Sequence, residues 1–475
     1  MYKLILFLCG IGLFYSCGSS EKKVSANTEE KHTEETAVLP SRPPRADFPT
    51  GKIIPVVKIK ADSSQSYALY LPADYKKESD MPALFLFEPH AKGTVPLSKY
   101  KALADRFHFI MMCSNTSQNG MSEEVLNTVI ENYMQDAKAK LAIDLQRIYV
   151  GGFSGGSVVA GMVAVNKGGV KGVIGAGKGL PQVKTQIPAP FNYFGIVGDG
   201  DFNYDEMLAL DKSFEKSPIK HQLVIFEGKH EWPPIDKMED ALFWMDLMAM
   251  KEKQLPVNND EINAFIKIHE HEASVMAMAG RNYEAAASLF ELIQSLNGLH
   301  DISTWQSKLN EITKKPEYLS EVKLLDQLNA DEMKERGKYI DAFKNKPSGW
   351  WSTEIQHLKT AAAGTKGPVS AYNRRMLSLI SMVSFIQADA AIKNNMIKDG
   401  SHFLEIFKMV DPQNSDLPYL NACVMALQGN KTAAFAMLNQ AVAMGFNDKN
   451  KLINDPAWKN CKTEPAYQTL LAKIQ

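Results

Sequence analysis

A serine enclosed by four glycines follows an apolar, β-branched run at residues 148–157, which read IYVGGFSGGS. The run predicts a strand, and the segment SVVAGMVAV that begins at residue 157 has the small and apolar residues of a helix. The pattern G-x-S-x-G at residues 152–156 lets a strand turn sharply into a helix, because larger side chains would collide in such a turn. The sequence therefore predicts that Ser154 stands on a tight turn at one edge of a sheet.

Short apolar runs alternate with helix-like patterns over residues 51–253. Strands that are buried on both faces and separated by crossover helices are typical of a parallel sheet. We therefore expect this segment to be an α/β domain with a mostly parallel sheet and flanking helices. The runs that predict strands are residues 83–87, 109–113, 147–151, 170–176, 191–197 and 223–226.

Two later loops offer partners for the serine. A serine hydroxyl is a good nucleophile only when a base takes its proton and a third group orients that base. The run LVIFEG is followed by KHEWPP, which makes His230 the predicted base, since imidazole exchanges protons near neutral pH. The run FNYFGIV is followed by GDGDFNYDEM, where we predict Asp201 as the acid and keep Asp199 as the alternative.

The same edge of the sheet should also bind the negative oxygen formed during acyl transfer. The backbone N–H of Gly155, at the start of a helix, is one predicted donor. The second is expected in the loop EPHAKG, at the amide of Ala91 or His90. Three side chains are predicted to border the substrate: His90, Asn115 and Trp232. An ordinary polar turn at residues 114–120 and aromatic packing of Trp232 onto its own domain are the alternatives.

Two stretches together resemble a known family. IDLQRIYVGGFSGG at residues 143–156 and GKHEWP at residues 228–233 are similar to the polyhydroxybutyrate-depolymerase and feruloyl-esterase-like branch of the α/β-hydrolases. The resemblance covers about residues 55–248. It implies an α/β-hydrolase fold and a serine esterase that acts on a small-molecule or polymer ester, with no metal and no organic cofactor.

The amino-terminal 17 residues, MYKLILFLCGIGLFYSC, place one lysine before an apolar stretch that is too short to span a bilayer. This end resembles a bacterial lipoprotein signal, which implies that Cys17 carries the lipid. Residues 18–50 are polar, charged and proline-bearing, which predicts a disordered tether. We therefore expect an exported, lipid-anchored protein of the bacterial cell envelope. Cleavage without lipidation and an uncleaved anchor are the alternatives.

Strand patterns stop near residue 254, and helical patterns continue to the end, which predicts an all-α domain at residues 254–475. Two segments in it resemble the second helix of a tetratricopeptide repeat, although no 34-residue register connects them. Their matching positions are Ala286, Phe290 and Ile293 in one segment and Ala434, Leu438 and Ala441 in the other. An irregular, tetratricopeptide-like array of this kind is predicted to bind a protein partner, cover the cleft or mediate oligomerisation.

Composition removes some classes of function. The chain has 53 lysines and arginines against 54 aspartates and glutamates, so it lacks the positive field of a nucleic-acid-binding protein. Two of the five cysteines fall in the signal, and the wide spacing of the others implies no disulfide framework.

An ester hydrolase is favoured because serine, acid and histidine occur in the required order. A catalytically inactive binding protein that acts through its helices and a serine peptidase are the alternatives.

Overall fold

The computed structural model describes residues 45–181, 190–364 and 367–474. The predicted signal, with Cys17, and residues 18–44 of the predicted tether lie outside the described residues. For residues 45–50 the prediction of a disordered tether is wrong, because Phe48 packs on the core and the Ala46 N–H donates to the Lys140 carbonyl at 2.9 Å. Within the described part, a mixed sheet is followed by helices that continue to the carboxyl end. The strands are β1 (Ile53–Lys58), β2 (Ser66–Tyr70), β3 (Met81–Phe87), β4 (Ile110–Ser114), β5 (Ile143–Phe153), β6 (Gly172–Ala176), β7 (Asn192–Gly198) and β8 (His221–Phe226).

The helices between and after the strands fall into two groups. Those of the sheet-containing part are α1 (Thr94–Phe107), α2 (Glu123–Lys140), α3 (Gly155–Met162), α4 (Tyr204–Phe214) and α5 (Ile235–Lys251). The helical region that follows contains α6 (Asn259–Met278), α7 (Asn282–Leu296), α8 (Ser303–Ile312), α9 (Pro316–Asn345), α10 (Ser348–Ala362), α11 (Pro368–Lys393), α12 (Ile397–Val410), α13 (Asp416–Leu427), α14 (Lys431–Ala443), α15 (Lys449–Asn454) and α16 (Pro465–Lys473).

The sheet has the strand order β1-β2-β4-β3-β5-β6-β7-β8. Strands β3 to β8 run parallel to one another, whereas β1 pairs with β2, and β2 with β4, in antiparallel fashion. Each of the six predicted runs overlaps one of the parallel strands. The amino-terminal hairpin was not predicted, because Pro55 interrupts the apolar residues of β1 and three of the six residues of this edge strand are exposed.

Apolar side chains cover both faces of the sheet. On one face, Leu97 of α1 and Leu242 of α5 belong to a core that includes Leu84 of β3. On the other face, Ile130 of α2 and Ala160 of α3 pack with Phe85 of the same strand. Alternating residues of β3 therefore face opposite helical layers, as expected for a strand buried on both sides.

The core on the α5 face does not end at residue 253, the predicted domain boundary. Leu289 of α7 and Trp305 of α8 belong to the same apolar cluster as Leu242 of α5. The buried hydroxyl of Ser295 donates to Oε1 of Gln222 on β8 at 2.9 Å. The first helices of the helical region thus extend the core of the sheet-containing part and are not packed as a separate unit.

The repeat-like positions differ in burial between the two segments. Ala434, Leu438 and Ala441 of α14 are fully buried against α13 and α16. In α7, Ala286 and Ile293 are buried, but Phe290 is 41% exposed. On α7, Leu289 and Leu292 face the core in place of Phe290. The tetratricopeptide-like character of the helical region stays a prediction.

Helix α11 is the one helix of the described residues that is long and apolar enough to cross a membrane by length and composition alone. Its buried residues Met376 and Ile380 pack with Tyr339 of α9 and Trp351 of α10. These contacts are those of a core helix in a helical bundle.

Candidate active site

Ser154 stands where β5 turns into α3. Its backbone has φ 53° and ψ −122°, a conformation that is costly for any residue with a side chain. Its N–H donates to the Ala176 carbonyl at the end of β6, and its carbonyl accepts from the Ser157 N–H inside the new helix. The turn is therefore fixed on both sides, and the strained backbone presents the hydroxyl at the carboxyl edge of the parallel strands.

The glycines around Ser154 leave no room for a Cβ atom. A Cβ on Gly152 would lie 2.3 Å from the backbone of Gly156. One on Gly156 would lie 2.0 Å from the carbonyl oxygen of Phe87, at the end of β3, and one on Gly155 would lie 1.8 Å from Oδ1 of Asn119. At these three positions the glycines permit a close approach of the turn to β3 and to the loop after β4.

We predict that Gly156→Ala destabilises the fold by about 2 kcal/mol or more, which lowers the Tm by roughly 5 °C, because the clash is with backbone that cannot move aside. The matched control is Gly337→Ala on α9, where a Cβ would meet nothing within 4 Å. That change should raise stability by up to about 1 kcal/mol, because alanine favours helix over glycine. Thermal unfolding of the two variants measures the difference. A Tm for Gly156→Ala at or above that of the unchanged protein would contradict the packing described.

Three side chains from three loops form a continuous hydrogen-bonded chain. Nε2 of His230 lies 2.9 Å from Oγ of Ser154. Nδ1 of His230 lies 3.0 and 2.9 Å from the two carboxylate oxygens of Asp201. Because an ionised carboxylate only accepts hydrogen bonds, Nδ1 carries the hydrogen and Nε2 is left to accept the serine proton. Asp201 is 1% exposed, so its charge is shielded from water and acts on the imidazole.

The surroundings of His230 hold its ring in place. Phe153 and Phe202 lie against it, with ring centroids at 4.6 and 4.3 Å. Gly177, with φ +63°, passes so close that a Cβ there would lie 3.2 Å from both Nδ1 of His230 and Oδ2 of Asp201. Neither Gly177 nor Phe202 was predicted from the sequence. The only signal for Gly177 is its position directly after the predicted strand at residues 170–176.

Asp199, the alternative acid, is directed away from the imidazole. Its Oδ1 accepts from the Gly228 N–H at 3.1 Å, and its Oδ2 accepts from Arg374 of α11 at 2.6 Å. The two aspartates therefore have separate partners. Asp201 contacts the histidine, and Asp199 ties the loop to its neighbours.

The loop after β3 differs from the prediction for the second oxyanion donor. The buried carboxylate of Glu88 accepts from the amides of His90 and Lys92 at 2.7 and 2.9 Å. The Ala91 amide donates to the Glu88 carbonyl at 3.2 Å, and Ala91 has φ 61°. The amides of residues 90–92 are thus engaged within the turn. Burial alone would raise the pKa of Glu88, but its hydrogen bonds with His90 and Lys92 outweigh burial and leave that pKa below its usual value.

Asn119 is a third residue of the site that was not predicted from the sequence. Its backbone N–H donates to the Pro89 carbonyl, and His90 pairs with Gln118, so the loops after β3 and β4 lie side by side. The Asn119 carboxamide lies directly over Gly155. It therefore borders the position that a substrate carbonyl would take beside the Gly155 amide.

Two predicted substrate contacts have other partners in the structure. Oδ1 of Asn115 accepts from the Gly93 N–H, and its Nδ2 donates to the Pro55 carbonyl, so the amide braces neighbouring loops. Trp232 is buried and packs against Tyr100 and Phe153. The contacts of Asn115 agree with the alternative of an ordinary polar turn, and those of Trp232 agree with the alternative of aromatic packing onto its own domain.

The third predicted substrate contact, His90, differs from these two because its side chain is 54% exposed. Its place at the edge of the site is consistent with substrate contact, which stays a prediction.

Known proteins resemble the chain in structure but not closely in sequence. No family model and no curated protein sequence matches it. Among solved structures, S-formylglutathione hydrolase from Staphylococcus aureus is 14% identical, with a TM-score of 0.32, and the match covers 38% of this chain and 92% of that one. The feruloyl esterase module from Clostridium thermocellum is 14% identical, with a TM-score of 0.35 and coverages of 41% and 87%. A hyperthermophilic esterase from Pyrobaculum calidifontis is 12% identical, with a TM-score of 0.33 and coverages of 42% and 87%.

These likenesses extend over less than half of this chain. Similarity this distant does not assign a reaction, because unrelated chemistries share folds and the reaction depends on the site.

Proposed function

We propose that this protein is a serine hydrolase of the α/β-hydrolase type that cleaves carboxylic esters through an acyl-enzyme. The observation that supports the proposal is the continuous chain from Oγ of Ser154 through His230 to Asp201. A nucleophile bonded to a base, which is bonded in turn to a buried orienting carboxylate, is the arrangement that activates serine in acyl transfer. The strained turn at Ser154 and the loop positions of the acid and histidine agree with this type.

In the first half of the reaction, Ser154 attacks the ester carbonyl carbon. As the new C–O bond forms, the Oγ proton passes to Nε2 of His230, and the π electrons of the carbonyl move to its oxygen. The Asp201 carboxylate stabilises the imidazolium that results. The tetrahedral intermediate then collapses, the bond to the leaving oxygen breaks, and that oxygen takes the proton from Nε2. The products of this half are an alcohol and an acyl group on Ser154.

In the second half, water takes the place of the alcohol. His230 accepts a proton from the water, whose oxygen attacks the acyl carbon. The bond to Oγ breaks, and Oγ regains its proton from Nε2. The net change is one ester and one water converted to one acid and one alcohol, with the three side chains restored.

The developing negative oxygen needs hydrogen-bond donors that are already in place. The Gly155 N–H at the start of α3 provides one, with support from the helix dipole. The Ala91 amide is less well placed, because it donates to Glu88. The Asn119 carboxamide lies beside Gly155 with Oδ1 nearer than Nδ2, so its NH₂ group reaches the oxyanion once the amide turns over, and we assign the second contact to Nδ2 in that orientation.

A short-chain nitrophenyl ester tests the proposal with the full chain. Rapid mixing should release a burst of nitrophenol that matches the concentration of folded protein, followed by slower steady turnover as the acyl-enzyme is hydrolysed. Intact mass measured during the burst should show one acyl group per chain. Absence of both turnover and acylation across acetyl, butyryl and aromatic acyl esters would contradict an esterase and favour the inactive binding protein.

We further propose export and a lipid anchor at Cys17, which rest on the sequence alone. Replacing Cys17 by serine is expected to move the protein from the membrane to the soluble fraction, because the thiol that carries the lipid is lost. Ester turnover per molecule should not change, since Cys17 precedes a polar, charged segment, and only the end of the predicted tether contacts the fold, through Phe48. Fractionation followed by blotting measures the distribution. Retention of the Cys17→Ser protein on membranes would favour an uncleaved hydrophobic anchor instead.

A further inference from the structure

The loop that carries Asp201 is held from the side by the helical region. We infer that α9 and α11 act as a positioning element, which keeps Asp201 against His230 so that turnover depends on contacts made by helices far away in the sequence. This inference rests on the proposed function, since it concerns the same three side chains. It assigns to the helical region a role in catalysis within the same chain.

Backbone carbonyls of the acid loop accept hydrogen bonds from the helical region on both sides of Asp201. The Asp199 carbonyl accepts from Nη1 of Arg375 at 2.9 Å, and the Gly200 carbonyl accepts from Oγ of Ser378 at 2.8 Å. Beyond Asp201, the Phe202 carbonyl accepts from the Arg336 guanidinium. The loop is therefore fixed immediately before and immediately after the acid.

A side-chain ion pair adds to these backbone contacts. Nη2 of Arg374 lies 2.6 Å from Oδ2 of Asp199, whose other oxygen accepts from the loop of His230 through the Gly228 N–H. Asp199 thus connects α11 to both the acid loop and the histidine loop. Gly200 allows this close approach, because a Cβ there would lie 3.1 Å from Cβ of Arg374.

One of the donors on α11, Arg375, is itself fixed by α9. Arg375 and Glu332 form a buried ion pair, with Nη2 and Nε of the arginine at 2.6 and 2.8 Å from Oε2 of the glutamate. Burial alone would lower the pKa of Arg375, but the hydrogen bond and the charge of Glu332 outweigh burial and raise it. The guanidinium also lies over the ring of Tyr204, at 4.3 Å from the centroid. Arg375 therefore contacts the acid loop as a rigid, permanently charged donor.

An aromatic contact joins the helical core directly to the imidazole. Phe202, the residue after the acid, packs on the apolar cluster that contains Met376 of α11. Its ring lies 4.3 Å from that of His230. The helical region also contacts the opposite side of the site, where Lys92 of the loop after β3 donates to Asn447.

Displacing the loop by about 1 Å is enough to weaken the contact between carboxylate and imidazole, and errors of that size lower turnover by as much as about a hundredfold. Substrate binding does not use these contacts. A loosened acid loop should therefore lower kcat and leave KM nearly unchanged.

The test uses the full chain and two neighbouring serines of α11. Ser378→Ala removes the hydrogen bond to the Gly200 carbonyl, whereas Ser381→Ala, less than one turn further, removes a bond to Asp411 within the helical region. We expect kcat for a nitrophenyl ester to fall roughly threefold to tenfold in Ser378→Ala. The Ser381→Ala control should keep the kcat of the unchanged protein.

A second pair of variants tests the ion pair. Arg374→Ala combined with Ser378→Ala should lower kcat roughly tenfold to a hundredfold, with KM within about twofold. The double variant with Arg374→Lys in place of Arg374→Ala should recover part of the loss, because lysine keeps a positive charge near Asp199. Turnover is divided by the number of active sites, counted by complete reaction with a fluorophosphonate, because the burst amplitude itself falls when acylation slows. A merely structural role would reduce the number of sites that react and leave the turnover of each remaining site unchanged.

An unchanged kcat per active site in the double variant overturns the inference while the esterase proposal stands. A loss as large in Ser381→Ala as in Ser378→Ala overturns it as well. Failure of the proposed function is seen separately, because the unchanged protein would then show neither burst nor turnover.

Discussion

Replacing His230 by alanine is expected to lower turnover of a nitrophenyl ester by roughly 10⁵- to 10⁶-fold. Without the imidazole, nothing in the site takes the Ser154 proton, and the hydroxyl attacks the carbonyl only slowly. KM should change little, because the ring contacts the nucleophile and the acid. Steady-state kinetics at high enzyme concentration measures the residual rate.

The matched control for this change is His271→Ala, at an exposed position on α6. It should keep the full rate and the Tm of the unchanged protein. A His230→Ala variant that retains a tenth of the rate would exclude His230 as the base.

The second large effect is expected for Asp201→Asn, which should lower turnover by about 10⁴-fold with little change in Tm. An asparagine keeps the size of the side chain, but its NH₂ group favours the imidazole tautomer that has the hydrogen on Nε2. That tautomer cannot accept the Ser154 proton, and the charge that stabilises the imidazolium is lost as well. The ratio of kcat between variant and unchanged protein measures the effect.

Asp199→Asn is the matched control, two residues away on the same loop. An asparagine there can still accept from the Gly228 N–H but loses the ion pair with Arg374. We expect kcat to fall by about tenfold or less, because the change weakens only one of the contacts that hold the acid loop. A larger loss for Asp199→Asn than for Asp201→Asn would transfer the role of acid to Asp199.

Local patterns predicted the centre of the site because its requirements are local. The turn at Ser154 needs small residues at fixed spacing, and the structure shows backbone or side-chain atoms within 2.3 Å of where each of three Cβ atoms would lie. The parallel strands are continuous apolar runs, which are visible without knowing the partner strands. The order of serine, acid and histidine along the chain then locates the loops at one edge of the sheet.

The contacts that the sequence analysis missed depend on the direction of side chains. Asn115 lies near the carboxyl edge, as predicted, but only the three-dimensional placement of Gly93 and Pro55 shows that its amide is already bonded. The same holds for the amides of residues 90–92, which are engaged because the Glu88 carboxylate folds back under its own loop. The sequence predicts where a loop lies, but it does not show whether the hydrogen-bond donors of that loop already have acceptors.

The role of the helical region was the least predictable part. Arg374 and Asp199 are 175 residues apart in the sequence, and no pattern in either segment indicates the other. The repeat-like spacing drew attention to α7 and α14, whereas the contacts with the acid loop come from α9 and α11. The helices that contact the acid loop therefore have no recognisable sequence motif.

The central claim is that Ser154 is an activated nucleophile, and labelling with a fluorophosphonate tests it most directly. The probe forms a stable bond with a serine only when a base has activated the hydroxyl. Intact mass should show one adduct per chain, and peptide mapping should place it on Ser154. Labelling should disappear in Ser154→Ala and become far slower in His230→Ala. An unlabelled chain, or equal labelling of the unchanged protein and Ser154→Ala, would contradict the claim.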